Sequence, residues 1–148
     1  MTSKLLIHFS LLAAVAGCGP PLCGPGIEDV RYDVAGNYRL CRTSADQIQV
    51  VPLGGCSKHT PIIPAKVVEI AWDRTFVLGK QQHLRRRSPD NPADTCEEPA
   101  PGQFSYWILD TSIPKAFGPF QLEDFNRKRA EMKISDNLRL RDVNDFRP

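Results

Sequence analysis

The chain has 148 residues, enough for one domain, and its 41% hydrophobic and 24% charged residues exclude wholesale disorder. Nineteen Lys+Arg against 17 Asp+Glu leave a net charge of +2, without the marked basic excess of a nucleic-acid binder, so no nucleic-acid partner is expected. Thirteen Pro and ten Gly predict many loops, and five Cys point to an oxidising compartment.

The chain opens on Lys4, a short positive region, followed by an apolar run from Leu5 to Gly17. That run is too short to cross a hydrocarbon core, which needs about 20 helical residues, and suits the hydrophobic region of a signal peptide. It ends on Val15-Ala16-Gly17-Cys18. This tetrapeptide resembles the lipobox of bacterial lipoproteins, with a branched apolar residue, two small residues and then Cys. The resemblance implies cleavage before Cys18, a diacylglycerol thioether on its sulfur, acylation of the new amine by a fatty chain such as palmitate, and a membrane anchor. The alternative is a plain secretory signal cut after Ala14-Val15-Ala16, with Cys18 left as a disulfide partner. In Gram-negative lipoproteins a residue other than Asp after the lipidated Cys, here Gly19, implies sorting to the outer membrane, facing the periplasm.

The sequence therefore divides into a signal peptide over 1–17, a lipidated tether over 18–32 and a single globular domain over 33–148. The tether is rich in Gly and Pro and carries no periodic pattern. Asn37 to Arg42 and Gln47 to Val51 alternate in part around Thr43 to Asp46, which predicts a hairpin. In Lys66 to Trp72, Val68, Ile70 and Trp72 share one face at period two. After Asp73-Arg74, Phe76 and Leu78 share a face in Thr75 to Lys80, so these two runs form the clearest hairpin of the chain.

Residues 84–102 differ in kind. Arg85-Arg86-Arg87, four Pro and the acids Asp90, Asp94, Glu97 and Glu98 show no apolar period and read as a long loop. Phe104 to Leu109 is β-prone and nearly continuous in apolar content, as in a central strand covered on both faces. The spacing of Phe120, Leu122, Phe125, Arg129 and Met132, with Pro119 at the first turn and Glu123 and Asp124 beside it, predicts a helix over 119–132. Ile134, Leu138 and Leu140 fit a last short strand, and the polar tail from Asp142 is expected to fray. The fold class is α+β, a small antiparallel meander sheet with one C-terminal helix packed on it. The stretch WDRTFVLGKQ, YWILD and GPF across residues 66–140 resembles small bacterial lipoprotein domains, which implies a fold and a compartment and no activity.

Five Cys is an odd number in an exported chain. With lipid on Cys18, four remain as disulfide candidates: Cys23, Cys41, Cys56 and Cys96. The first hairpin suggests Cys41 paired with Cys56, closing a loop of about 16 residues, which leaves Cys23 to Cys96 between two Gly/Pro-rich stretches. No CxxC spacing, acidic calcium loop or glycine-rich phosphate loop is present, so neither a metal nor a cofactor is expected. There is no Gly-x-Ser-x-Gly elbow, and His59 and His83 read as surface histidines. Trp72, Trp107, Tyr106 and Phe104 read as core aromatics. Arg85, Arg86 and Arg87 are the candidates for contact with an acidic partner, against a reading in which they pair with their own acidic neighbours.

No catalytic residue is assigned and the chain is not expected to be an enzyme. The expected function is a membrane-tethered, non-catalytic binding module of the cell envelope, anchored through Cys18 and holding a protein partner, in one version an inhibitor or immunity protein for a secreted toxin or hydrolase. The alternatives are a structural or accessory subunit of an envelope complex and, more remotely, a small envelope hydrolase.

Overall fold

A computed structural model of the protein describes residues 30–57 and 59–146. The signal peptide and Cys18 fall outside the described residues.

The fold is α+β. Strands β1 (Val30–Asp33), β2 (Tyr38–Arg42) and β3 (Ile48–Pro52) form a three-stranded antiparallel sheet in chain order. Strands β4 (Val67–Trp72), β5 (Phe76–Arg86), β6 (Glu97–Asp110), β7 (Lys115–Phe120) and β8 (Arg141–Asp142) form a second sheet, ordered β7-β6-β5-β4-β8. Helix α1 (Leu122–Glu131) follows β7, and a short 3-10 helix over Val143–Phe146 follows β8.

Successive side chains of a strand point to opposite faces, and the five-stranded sheet buries both. Ile70, Val77 and Leu109 face one way and join Tyr38, Leu40, Ile48 and Val50 of the small sheet. Their neighbours Ala71, Leu78 and Ile108 face the other way and join Phe125 of the helix and Ile134. The large sheet is thus the middle layer, with the small sheet on one face and α1 on the other. Each fully buried Val, Leu or Ile contributes roughly 1.5–3 kcal/mol. Ile63 wedges between the sheets, bridged through its backbone to Val50, and a Cβ at Gly79 would lie 3.1 Å from its side chain. Glycine at position 79 lets the two layers approach.

Both expected hairpins are present, as β2–β3 and β4–β5. The expected central strand is the apolar half of β6, which runs between β5 and β7 with cores on both faces. Five expectations are corrected. Ordered pairing begins at Val30, opposite Arg42, inside the segment assigned to the tether. The stretch 84–102 is largely strand, with Leu84, Arg85 and Arg86 paired to Pro99, Glu98 and Glu97, so the turn is confined to about 87–96. This two-stranded ribbon extends past the core, and without a buried face it carries no apolar alternation. The segment 117–120 is β7, with Phe117 opposite Ile108 and Phe120 opposite Tyr106. Phe117 and Phe120 pack on the second core from that strand, the residue before Pro119 is disfavoured as helix, and α1 begins only at Leu122. The last strand is Arg141–Asp142, after a turn that holds Ile134 and Leu138 against the helix. The tail does not fray through Phe146: Val143 is buried and Phe146 packs on the first core, three residues apart on one face of a 3-10 helix.

Candidate functional site

The cysteine pairing differs from expectation. Cys41 is disulfide-bonded, while Cys56 and Cys96 are exposed free thiols, so neither Cys41–Cys56 nor Cys23–Cys96 forms. The partner of Cys41 lies outside the described residues. The register explains the correction. Cys41 lies opposite Gln49, near the closed end of the hairpin, whereas Tyr38 lies opposite Pro52 and Cys56 follows four residues beyond, at the open end. Three residues of strand alone separate these ends by about 10 Å, more than the ~7 Å that a bridge tolerates between Cα atoms. Burial pushes the Cys56 thiol up, and burial together with Cys56 pushes the Tyr38 phenol up.

The three consecutive arginines are held by the hairpin itself. Arg85 Nε and Nη2 donate to Glu98 Oε1 at 2.9 and 2.7 Å. Arg86 Nη2 donates to the carbonyls of Asn91 and Asp94 at 2.9 and 3.1 Å. Arg87 Nε donates to Asp94 Oδ2 at 3.0 Å. Hydrogen bonds from the Ser88 side chain, the Cys96 backbone N–H and Arg87 hold the Asp94 carboxyl at about 2. Arg87 is raised in return, chiefly by its hydrogen bond to Asp94. These contacts order the turn, while the three side chains remain exposed and Arg86 meets backbone carbonyls rather than a carboxylate.

Sequence reasoning missed a Ser–His pair. His83 sits at the irregularity between the Gln82 and Leu84 pairings, two residues from Gln81, which lies opposite Ser105, and His83 Nε2 lies 2.6 Å from Ser105 Oγ. Ser105 is 2% exposed, so its hydroxyl lies beneath the surface rather than in a cleft. Beside it, Gln81 accepts from Trp107 Nε1 at 2.7 Å and donates to the Ala65 carbonyl at 2.5 Å. This polar seam satisfies groups at the edge of the first core. Among the described residues no group of three His, Cys, Asp or Glu is placed to hold a metal.

The concave feature is elsewhere, at the β4 edge. Pairing of β4 with β8 covers only Glu69 opposite Asp142 and Ile70 opposite Arg141. Past that point residues 137–140 peel away from β4 and a pocket of about 230 Å³ opens. The edge of β4 from Ile70 to Trp72 lines its inner wall with Leu138 and Phe146, and Asn137, Arg139 and Arg141 line the exposed rim. The Phe146 ring lies 4.9 Å from Trp72, and Tyr32 of β1 stands 5.7 Å from both rings. The Arg141 guanidinium stacks 4.7 Å above Phe146 and approaches Asp145 at 3.7 Å. Arg139 makes no ion pair or hydrogen bond among the described residues. Such a pocket suits a small apolar group that carries a negative charge. The sequence places Trp72 in the core, and it serves both the core and this pocket. Arg139 and Arg141 carried no motif; the available signal was their period-two spacing on either side of Leu140.

Residues 35–144 match a family model described as protein of unknown function, DUF3997. No curated protein and no solved structure matches the chain.

Proposed function

The chain belongs to the DUF3997 family, and from that premise we propose that it is a lipid-anchored, non-catalytic binding module of the bacterial cell envelope. In the most concrete version it holds a protein partner as an inhibitor or immunity protein does. The observation that carries the reading is Val15-Ala16-Gly17-Cys18, placed at the end of an apolar run and followed by a Gly/Pro-rich segment that leads directly into β1. An anchor on Cys18 delivers the domain to the membrane by the β1 end, where Tyr32 stands beside Trp72 and Phe146. In a Gram-negative host, Gly19 after the anchor favours the outer membrane, facing the periplasm. Binding is favoured over catalysis because the Ser105 hydroxyl is buried beneath a half-buried His83, whereas the β4-edge pocket is open and cationic at its rim.

Metabolic labelling with an alkyne fatty acid, followed by fractionation in high salt, tests this reading. Each buried CH₂ contributes ~0.8 kcal/mol, so a multiply acylated chain remains with membranes. The parent is expected to be labelled and sedimentable, and Cys18→Ala unlabelled and released. A parent chain that is unlabelled and freely soluble overturns the anchor.

A further inference from the structure

We infer that the β4-edge pocket receives the C-terminal residue of an extended peptide, an apolar side chain on the inner wall and the free carboxylate on Arg139 and Arg141. The inference rests on the reading of the chain as a binding module and gives that module its ligand chemistry. Three features converge on it. The volume, about 230 Å³, is below the 300–1,000 Å³ of pockets for drug-sized ligands and suits one side chain. Trp72, Phe146 and Leu138 give the inner wall its apolar side chains while the rim is cationic, and Arg139 has no partner of its own among the described residues. A ligand that is apolar at its base and anionic at its rim matches that polarity, and planar guanidinium groups take carboxylates in paired hydrogen bonds. The pocket also opens where β4 loses its β8 neighbour, after Ile70. The edge of β4 left beyond Ile70 is the two residues Ala71 and Trp72, so backbone pairing there reaches the last residues of a peptide, the mode in which backbone hydrogen bonds give affinity and a side-chain pocket gives specificity.

The probes are an acetylated hexapeptide ending in phenylalanine with a free carboxylate, its C-terminal amide, and vesicles of anionic phospholipid. Binding to the full chain in detergent is read by tryptophan fluorescence. Trp72→Phe assigns the response, because Trp107 remains as the other indole. The free acid is expected to bind about 10- to 100-fold more tightly than the amide, the range of a hydrogen-bonded charge. Arg139→Gln with Arg141→Gln is expected to reduce acid binding to the level of the amide, and Arg139→Gln alone, which removes no ion pair or hydrogen bond among the described residues, is expected to weaken acid binding with the thermal midpoint unchanged. Equal affinity for acid and amide overturns the inference, as does no binding of either peptide, or a Trp72 response to vesicles but not to the acid. Acid-selective binding by a chain that washes off membranes refutes the anchor and keeps the pocket. Membrane retention with no acid selectivity does the reverse.

Discussion

Phe125→Ala tests whether α1 is held to the sheet through a single side chain. Phe125 is the buried residue of the helix, 2% exposed, while Leu122 is 51% exposed. Its ring packs 5.1 Å from Tyr106 of β6 and meets Leu78, Ile108 and Ile134 in the second core. An aromatic side chain buries roughly 150–250 Å². At about 25 cal/mol per Å² this amounts to about 4–6 kcal/mol, an upper value because the unfolded chain already hides part of that area. Large-to-small aromatic substitutions in cores cost ~3–5 kcal/mol, so we expect about 4 kcal/mol. At about 4 °C per kcal/mol for a domain of this size, the midpoint falls by about 15 °C. Leu122→Ala, on the same helix, is expected to change stability by about 0.5 kcal/mol or less. Chemical denaturation followed by circular dichroism measures both. A loss below about 1 kcal/mol for Phe125→Ala, or equal losses for the two variants, refutes the single-anchor account.

Further expectations concern thiols, the hairpin turn and β7. Maleimide applied without reductant should label Cys56 and Cys96 but not Cys41, with Cys96 faster because burial raises the Cys56 thiol. Replacing Cys41 with Ser should cost about 2–5 kcal/mol and replacing either free cysteine far less; a single labelled thiol would contradict the assignment. Asp94 has a folded value of about 2, lowered from 3.8, so its contribution to ordering the turn is complete above about pH 4 and is lost as pH falls through 2. Carboxyl chemical shifts should place its midpoint there, and an ordinary midpoint would contradict the hydrogen bonds to Ser88, Cys96 and Arg87. Gly118→Ala should destabilise by about 1–3 kcal/mol in thermal melts, since φ is +137° and the new Cβ would lie 2.8 Å from both the Tyr106 carbonyl oxygen and the Trp107 ring. A neutral effect would mean that β7 does not hold Gly118 in this conformation.

The parts of the fold that are legible in the sequence are β-prone apolar runs set off by short polar turns. Val67 to Trp72 and Phe76 to Lys80 flank Asp73-Arg74 in this way, with cores on both faces of the sheet, and their hairpin follows. The ribbon from Arg85 to Glu98 reads as loop because two paired polar strands in solvent leave no period to detect. Phe117 to Phe120 carries Gly and Pro and resembles a helix start. Only its tertiary partners, Ile108 and Tyr106, select the strand. Of the candidate site, the charge run drew attention through its density, yet Glu98 and Asp94 hold two of its arginines and backbone carbonyls the third. The pocket was hidden because its inner wall joins Trp72 to Phe146, 74 positions away in a tail whose polar composition suggested fraying. Ser105 and His83 meet through the register of β5 and β6, a quantity that no local window contains.

The two margins of the large sheet govern how many copies can share a confined space. A bare strand flank is a template for joining another chain edge to edge, which leads to aggregation. At one margin β7 carries Lys115 and also Pro119, which has no N–H to donate. At the other, a strand of only Arg141 and Asp142 shields β4 with two charged residues. That shield stops at Ile70, so the opening suited to a guest peptide is also the place where two densely packed copies would first adhere. Arg139 and the Arg141 shared with Asp145 place positive charge at its mouth, which repels the same face of a second copy and favours a ligand of opposite sign.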